Sequence, residues 1–583
     1  MATAGGTLAM KRDLILLTLL GLLAYLPGLA SLPVIDRDEA RYAQSVVQMV
    51  ETGDYIDIRL QDEPRYKKPV GAYWAQVAAV FATGQADDIR AGERPIWAQR
   101  LPSVLGALVA VWATYLAGEA LFGRREAFVG AALLAVSVSL VFEAHQAKTD
   151  ALLIGACAVA LYGLVKGRAW PFWLAIGVGV LVKGPVILGV VGLAVLSFAT
   201  LQRLRPSSPA KGVSAVPTER GTRPSTLPAG GGGHMASLLR PLPILVTLAL
   251  VLPWFVAIGV VSDGAFYTEA LGRDFGNKLG SAQESHGGPP SYYLLTTFLM
   301  WWPGILALPV AAVWTWRERR ISEVALLLCW LVPMWLVLEL VPTKLPHYTL
   351  PLYPALALLC GAAVAREWER SAWTRLPGIA LVVGFGIALV EFGTWLEPTT
   401  YEVGTAIGWG LFMIIVVSAG LATWKRPVLG AAVASVAVSV WVFGINAPVA
   451  RKLTLSEGAG QGFNVGVAPD LLDHRRLVTQ IYREPSLVYL YGTDTRLDLC
   501  EVVPGDVVML QGGPITSGTT RTQRYAMSGA HTCMSEAGGA YGSNLAKGRD
   551  EVRLRLYLTD ACEPETLSKW AREQADPTLD CGG

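Results

Sequence analysis

Long apolar segments separated by short polar ones fill the chain from residue 13 to residue 446. The hydrocarbon core of a bilayer needs about 20 apolar residues per helix, or somewhat fewer where flanking side chains reach the interface. The pattern therefore predicts a polytopic α-helical membrane protein with about 13 transmembrane helices. They are expected at 13–31, 98–119, 126–143, 149–165, 171–183, 185–201, 241–261, 292–314, 322–341, 348–365, 376–396, 404–423 and 428–446. Lys183-Gly184-Pro185 interrupts one apolar run, which fits a tight turn and a broken helix equally well.

Basic residues between the predicted spans give the expected orientation. If the N-terminus is cytoplasmic, the inner loops contain Arg124, Arg125, Lys166, Arg168, Arg317, Arg319, Arg320, Arg366, Arg370, Arg375, Lys425 and Arg426. The long loop 202–240 also lies inside, with six basic residues against the single acid Glu219. This distribution follows the positive-inside rule, and an odd number of spans places the C-terminal region outside.

The two loops 32–97 and 202–240 between predicted spans are long and differ in composition. The outer loop 32–97 has helical apolar spacing from Asp38 to Met49, with Ala40, Ala43, Val47 and Val50 on one face. Its stretch 69–81 is short and aromatic, as expected of a segment lying along the membrane interface. The inner loop 202–240 is rich in Pro, Ser, Gly and Thr and is expected to be disordered.

The polar region 447–583 predicts a small α/β domain on the outer side, after a membrane domain at 1–446. Residues 486–491, 506–510 and 551–557 have strand character, and 470–482 and 564–574 have helical character. All four cysteines of this region, Cys500, Cys533, Cys562 and Cys581, are expected to form two disulfides, with three pairings open. A zinc site is the alternative, although no C-x-x-C pair supports it. The remaining cysteines, Cys157, Cys329 and Cys360, lie in apolar segments and are expected to pack there.

Composition narrows the class of protein. Of 583 residues, 52% are hydrophobic and 16% are charged, whereas soluble proteins average about 25% charged residues. The net charge of +2 gives no indication of nucleic-acid binding, because the basic residues lie in short loops. Met10-Lys11-Arg12 precedes an apolar run without a small-residue cleavage site, so the first segment is expected to be an anchor.

Charge is concentrated at the outer ends of the predicted spans. The polar residues there are Asp36, Asp38, Glu39, Arg41, Tyr42, Lys67, Lys68, His145, Lys148, Asp150, Lys183, His286, Lys344, His347 and Tyr348. Charges at membrane depth are costly and mark pathways or sites, although Lys and Tyr at helix ends can also simply reach the interface. Lysines near the bilayer surface suit a lipid-linked phosphate, and an acid suits activation of a hydroxyl or stabilisation of an oxocarbenium ion. The pattern predicts an outward-facing polar cavity.

Several of these residues belong to blocks that resemble a known family. Asp36-Arg-Asp-Glu-Ala-Arg-Tyr-Ala43, Glu51-Thr-Gly-Asp54 and Lys67-Lys-Pro-Val-Gly-Ala-Tyr-Trp74 resemble the N-terminal signature of the aminoarabinose-transferase-like membrane glycosyltransferases. His145-Gln-Ala-Lys-Thr-Asp150, His286-Gly-Gly-Pro-Pro-Ser-Tyr-Tyr293 and Lys344-Leu-Pro-His-Tyr-Thr-Leu-Pro-Leu-Tyr-Pro354 are similar to its later motifs, in the same order. The resemblance spans residues 10–450 and implies the GT-C fold, which that family shares with protein O-mannosyltransferases.

The resemblance implies a transferase that takes a sugar from a polyprenyl-phosphate carrier at the periplasmic face of a bacterial inner membrane. Lipid A, core lipopolysaccharide or another envelope glycan would be the acceptor, and inversion by direct displacement is expected. The residues implied as catalytic are Asp38, Glu39 and Asp150. Those implied in binding the donor and its phosphate are Arg41, Tyr42, Lys67, Lys68, Tyr73, Lys344, His347 and Tyr348, with His145 and His286 elsewhere in the cavity.

Lys67 departs from the family pattern. The family often has Glu-Lys-Pro where this chain has Lys67-Lys68-Pro69, and it can use that glutamate with a histidine to bind a metal. His286 alone cannot make a metal site, so neither a metal nor another cofactor is expected. Lys67 would instead supply positive charge to a phosphate or to a carboxylate-bearing sugar, which makes a uronic acid donor one hypothesis.

Three other functions fit parts of the pattern. A protein O-glycosyltransferase of the same fold would differ only in its acceptor, and an inactive relative acting as a scaffold would not need Asp38 and Asp150. A transporter or lipid flippase would place its ionisable residues near the midplane, whereas this chain concentrates them at one face. The expected partners are the lipid-linked donor, the glycan acceptor and membrane lipids, without nucleic acid, and the protein is expected to be a monomer.

Overall fold

The computed structural model describes residues 4–34, 38–204, 215–218, 221–224, 236–270, 288–368, 426–440, 475–479, 485–492, 494–496, 498–511, 533–543 and 551–574, with single residues 272, 376, 380, 384 and 443. Helices dominate up to residue 440, and a mixed four-stranded sheet forms in the C-terminal region. The helices up to residue 261 are α1 (Ala4–Tyr25), α2 (Asp38–Thr52), α3 (Gly71–Ala82), α4 (Ala86–Arg90), α5 (Ile96–Leu121), α6 (Arg124–Ala135), α7 (Val138–Ala144), α8 (Asp150–Lys166), α9 (Ala169–Lys183), α10 (Val186–Leu204) and α11 (Pro241–Val261). Beyond them lie α12 (Ala265–Tyr267), α13 (Tyr292–Met300), α14 (Leu308–Glu318), α15 (Ser322–Leu340), α16 (Tyr353–Glu367) and α17 (Pro427–Ser439), with 3-10 turns at Gly304–Ala307 and Pro346–Leu352.

Membrane-spanning capacity is judged from helix length and composition. Among the described residues, five helices are long and apolar enough to cross a membrane, and up to seven spans result if each of two bent pairs is one span. A polytopic membrane protein is thus confirmed. The count of about 13 stays a prediction, because the expected spans 376–396 and 404–423 lie almost entirely outside the described residues.

Two of the predicted spans are bent. The span expected at 126–143 consists of α6 and α7, which meet at 58°, and the span at 292–314 turns by 115° after α13. Trp302-Pro303 lies at the second bend, where proline cannot continue a helix. The run interrupted by Lys183-Gly184-Pro185 forms two helices, α9 and α10, and Gly184 has a φ of +63°, which glycine adopts without strain.

The outer loop 32–97 is built around α2. Ala40, Ala43, Val47 and Val50 are buried, as the apolar spacing predicts. A short antiparallel hairpin, β1 (Arg59–Leu60) with β2 (Glu63–Pro64), leads to α3.

The inner loop 202–240 contains more structure than its composition predicts. Within it, β3 (Ala215–Thr218) pairs antiparallel with β4 (Gly221–Pro224).

The C-terminal region has the α/β character that its pattern predicts. Its elements are β5 (Leu477–Thr479), α18 (Pro485–Tyr491), β6 (Val507–Gln511), β7 (Ser535–Ser543), β8 (Glu551–Leu558) and α19 (Pro564–Gln574). The sheet has the order β5-β6-β8-β7, in which only β5 and β6 are parallel. The predicted strands at 506–510 and 551–557 and the predicted helix at 564–574 are confirmed.

Two secondary-structure predictions in this region are wrong. Residues 486–491 form helix α18 instead of a strand, and β5 lies inside the predicted helix 470–482. Short apolar runs do not distinguish strand from helix by periodicity, and tertiary contacts decide between them. In α18 the deciding contact is with α2, because Tyr489 is buried in the same apolar cluster as Ala40 and Val47.

One of the two predicted disulfides is present in the described residues, and Cys581 lies outside them. Cys533 and Cys562 form a disulfide, and Cys500 is also disulfide-bonded. Cys157, Cys329 and Cys360 form none.

The C-terminal region and the outer loop 32–97 are in direct contact. Besides the packing of α18 on α2, Arg94 Nε donates a hydrogen bond of 2.7 Å to the carbonyl of Tyr489. The side chain of Gln61 donates to the carbonyl of Thr495. The two regions therefore lie on the same side of the helical bundle.

Candidate functional site

The first turn of α2 carries two acids with opposite surroundings. Asp38 is exposed, and its nearest cation is Arg41, 3.8 Å away. Glu39 is fully buried and accepts hydrogen bonds of 2.8 and 2.9 Å from Arg100 and one of 2.8 Å from the backbone N–H of Ala147. An acid in a first helical turn is also favoured by the helix dipole.

Arg100 uses its other N–H groups on the chain that leads into the site. It donates to the carbonyls of Leu29 and Leu32 through Nη1 and to that of Pro33 through Nη2, at 2.9 to 3.0 Å. The Glu39–Arg100 pair thus ties α2, α5 and the segment after α1 together, which gives Glu39 a structural position behind Asp38.

A second group of charges is buried where four elements meet. We call Glu143, Lys148, Asp150, Lys183 and His347 the buried cluster. Glu143 lies 3.0 Å from Lys148 and Asp150 lies 2.6 Å from Lys183, measured between oxygen and Nζ. The two ring nitrogens of His347 lie 3.9 Å from Glu143 and 3.9 Å from Asp150. Its two acids and two lysines neutralise one another.

Local sequence explains how the buried cluster is assembled. Asp150 is the first residue of α8 and Lys183 the last residue of α9, and both positions are favourable for their charge in the helix dipole. Pro346 begins the 3-10 turn that presents His347. Lys183 also lies 5.6 Å from the centre of the Tyr348 ring.

A set of more accessible charges lies around Asp38. We call Asp38, Arg41, Lys67 and Lys68 the rim. Lys67 is exposed, and Lys68 is half-buried with its Nζ 3.1 Å from the carbonyl of Lys67. Three of the four rim residues are cations, so the rim favours an anionic ligand.

Electrostatics link Asp38 to the buried cluster. Desolvation raises the pKa of Asp38, and so does the nearby charge of Asp150. Arg65, Lys148 and Arg41 outweigh both and hold the pKa of Asp38 below its ordinary value. Lys148 stays protonated, because Glu143 and Asp150 raise its pKa against the opposing effect of its own burial.

Behind the rim is an aromatic pair. Tyr42 and Tyr73 are buried with their ring centroids 4.8 Å apart, and the guanidinium of Arg65 lies 5.2 Å from the centre of the Tyr42 ring. Tyr42 and Tyr73 therefore support the site from behind, and the hydroxyl of Tyr73 is buried.

Two predicted site residues have their polar atoms directed at backbone carbonyls. The Nζ of Lys344 donates to the carbonyls of Glu339 and Val341 at 2.7 Å each and of Leu338 at 3.4 Å, which caps the end of α15. The ring nitrogens of His145 lie 2.7 and 2.9 Å from the carbonyls of Val141 and Pro27. Both residues hold the framework of the site.

Few residues of the site could act as metal ligands. His286 lies outside the described residues. Within the part of the chain that the structure describes, no three His, Cys, Asp or Glu side chains are placed to hold a metal ion together.

Three residues of the site were not among those predicted from the sequence to act in it. Glu143 is separated from its partners by only a few residues, so the polar run 143–150 could have indicated it. Arg65 lies two residues before the Lys67–Trp74 block and Arg100 lies outside every block, and only the folded chain brings them to α2.

Parts of the sequence are similar to known proteins. The model of the dolichyl-phosphate-mannose-protein mannosyltransferase family matches residues 89–215. An undecaprenyl phosphate-alpha-4-amino-4-deoxy-L-arabinose arabinosyl transferase of Pseudomonas paraeruginosa is 26% identical over 426 residues, which cover 67% of each chain. The enzyme of the same name from Yersinia pestis is 25% identical over 448 residues, covering 70% of this chain and 73% of its own.

The fold agrees with these sequence similarities. The crystal structure of ArnT from Cupriavidus metallidurans bound to undecaprenyl phosphate matches with a TM-score of 0.67 and 18% identity, over 95% of this chain and 98% of that one. The apo structure of the same protein matches with a TM-score of 0.69.

The fold is that of a polytopic helical membrane protein of the GT-C type, similar to ArnT of Cupriavidus metallidurans. The predicted resemblance to the aminoarabinose-transferase-like enzymes is confirmed.

Proposed function

We propose that this protein moves a sugar from a polyprenyl-phosphate carrier to lipid A, core lipopolysaccharide or a related envelope glycolipid. The observation that carries the proposal is that Asp38, at the start of α2, lies within electrostatic reach of Lys148 and Asp150, at the start of α8, beside a cationic rim. Relatives named for an undecaprenyl phosphate-linked aminoarabinose donor support a carrier of this chemical class.

Lys68 and Arg41 bind the phosphate of the donor in this proposal. Neutralised by them, the phosphate becomes a good leaving group. The acceptor oxygen forms a bond to the anomeric carbon as the bond from that carbon to the phosphate oxygen breaks on the opposite side, and the configuration inverts. A hydroxyl acceptor gives its proton to Asp38, whereas a phosphate acceptor has none to lose and Asp38 then acts by position and charge.

The buried cluster supplies fixed charge for this reaction. Because each acid is paired with a lysine, the cluster does not reorganise when charge moves from donor to leaving group. Lys148 and Asp150 are the members whose charges act on Asp38. Glu39 and Lys344 take positioning roles, in keeping with their contacts to Arg100 and to backbone carbonyls.

The site faces the periplasm in this proposal, and the N-terminus faces the cytoplasm of a cell with an inner membrane. Alternation of the basic loops supports that orientation. The C-terminal domain at 447–583 lies on the same side as the site, a placement supported by the packing of α18 on α2 and by the disulfide Cys533–Cys562. About 13 spans and a monomeric state complete the proposed arrangement.

Replacing Asp38 tests the function. Asp38→Asn should lower transfer by about 10²–10⁴-fold, the usual contribution of a proton-transferring group. Folding should not change, because the side chain is exposed. Mass spectrometry of lipid A and core oligosaccharide from cells with the wild-type protein, with Asp38→Asn and without the protein measures the product.

Asp87→Asn is the matched control, since Asp87 is an exposed acid of the same outer loop with its own ion pair to Arg90. Wild-type product levels in Asp38→Asn would refute the assignment.

A protein acceptor is the second candidate. The match of residues 89–215 to the protein mannosyltransferase family favours it. The same strains distinguish the two, because a protein acceptor would show the sugar on periplasmic proteins and leave lipid A and core oligosaccharide unchanged.

A further inference from the structure

Arg65 is a buried cation beside Asp38 that the reaction described so far does not use. It follows the β1–β2 hairpin, where its backbone N–H donates to the carbonyl of Ile58 at 2.7 Å. Only 7% of the residue is exposed. The Tyr42 ring lies 5.2 Å from its guanidinium carbon and is itself packed against Tyr73. The guanidinium is thus held on a rigid aromatic support.

Its hydrogen-bonding capacity is incompletely used. Among the described residues, Arg65 Nε has no hydrogen-bond partner, and no carboxylate lies within 4.0 Å of the guanidinium. Asp38 is the acid whose charge interacts with Arg65, and the carboxylate of Asp38 lies within 4.0 Å of Arg41. A buried arginine with no carboxylate in direct contact is costly in a folded protein. The Nε edge of arginine is suited to a planar, two-point contact with a carboxylate or phosphate.

The rim already provides for the phosphate of the donor. Arg41, Lys67 and Lys68 are three accessible cations, and a phosphodiester donor carries a single negative charge. Arg65 is set deeper, next to the acid that acts at the reacting carbon. An oxyanion that Arg65 binds in addition to the donor phosphate would belong to the sugar or to the acceptor.

We propose that Arg65 binds an oxyanion carried by the transferred sugar or by the acceptor, distinct from the linking phosphate of the donor, and so makes the enzyme selective for an anionic substrate. This inference rests on the proposed function and specifies the substrate class of the same site. A carboxylate on the sugar and a phosphate on the acceptor present the same chemistry to Arg65, and the experiment separates them.

The experiment uses two matched substrate pairs with the full-length protein in detergent. One pair is undecaprenyl phosphate carrying glucose or glucuronic acid, and the other is lipid A with or without its phosphates. Wild type should prefer the anionic member of one pair by about 10-fold or more in kcat/KM, as expected for a charge-assisted contact. Arg65→Met should reduce this preference to less than about 3-fold. The pair that responds identifies the source of the oxyanion.

Two further measurements separate binding from structure. Arg59→Met is the control, because Arg59 lies on the same hairpin, is half-exposed and pairs with Asp57 at 2.9 Å; it should keep the wild-type preference. Arg65→Met should have a Tm no lower than wild type without substrate, since it removes a buried charge that has no carboxylate in direct contact. Arg65→Lys, which keeps the charge and loses the planar fork, should retain an intermediate preference.

The inference is overturned if wild type shows no preference within either pair, or if Arg65→Met slows charged and neutral substrates equally. A Tm well below wild type in Arg65→Met would overturn it too, since Arg65 would then serve the fold. A wild-type protein that transfers no sugar refutes the proposed function instead. In that event Arg65 is tested by binding alone, as loss in Arg65→Met of a Tm increase that wild type shows with undecaprenyl phosphate-glucuronic acid.

Discussion

The buried cluster and the rim contain the same kinds of charged residue but use them differently. In the buried cluster each acid has a lysine within 3.0 Å, and the group as a whole is neutral. In the rim Asp38 and Arg41 are 3.8 Å apart, two lysines are more accessible, and cations outnumber acids. Paired charges in the buried cluster stabilise the fold, whereas the excess of positive charge in the rim attracts an anionic ligand.

This difference assigns separate roles to residues that look alike in the sequence. Lys148 and Lys68 are both lysines just before the start of a helix, yet Lys148 is buried against Glu143 and Lys68 is half-buried in the rim. Substitutions in the buried cluster should therefore change stability first, and substitutions in the rim should change ligand binding first.

The largest expected effect is on stability. Lys148→Met leaves Glu143 buried without its cation, and breaking one side of a buried ion pair costs about 3–5 kcal/mol in free energy of unfolding. The double variant Glu143→Gln/Lys148→Met removes both charges and should recover most of that loss. Denaturant unfolding in detergent micelles measures both variants. Equal stability of wild type and Lys148→Met would show that the comparison between the two regions is wrong.

A smaller effect is expected in the rim. Lys68→Ala removes a charge-assisted contact to the donor phosphate and should weaken binding of undecaprenyl phosphate by about 1.5–3 kcal/mol. Its stability should equal that of wild type, in contrast to Lys148→Met. Lys166→Ala, at the opposite end of α8 from Asp150, is the control and should bind normally. Unchanged affinity in Lys68→Ala would remove Lys68 from the phosphate site.

The division between the two regions also limits what could be predicted from sequence. Asp38, Lys68 and Asp150 could be predicted as site residues because they belong to short polar blocks in an apolar chain, and the helix containing Asp38 was predicted from its apolar spacing. Arg100, the partner of Glu39, could not be predicted, because it lies 61 residues away and belongs to no motif. Sequence alone places Glu39 beside Asp38, but it does not show that one side chain is fully buried and the other exposed.

Packing between distant segments accounts for most of the other differences. Residues 486–491 have the aromatic and β-branched composition of a strand, and they form a helix because α2 offers an apolar face on which Tyr489 is buried. Lys344 has the position expected of a phosphate ligand, but the end of α15 supplies three carbonyls within its reach. In both cases the contact that decides the structure is with a part of the chain that the hydrophobic pattern of the segment itself does not identify.

The smallest expected effect is a shift in the pH dependence of activity, which tests whether Asp38 in the rim or an acid of the buried cluster controls it. Arg41, with Arg65 and Lys148, holds the pKa of Asp38 below its ordinary value, so Asp38 is ionised and active until the pH falls through that lowered pKa. Arg41→Gln removes one of these cations, the pKa of Asp38 rises, and activity should be lost at a higher pH as the solution is acidified. The profile of kcat against pH at saturating donor measures this shift without interference from weaker binding. Arg59→Gln, on the exposed hairpin, should leave the acid limb in place. An acid limb that does not move in Arg41→Gln would mean that the ionisation controlling activity belongs to the buried cluster and not to Asp38.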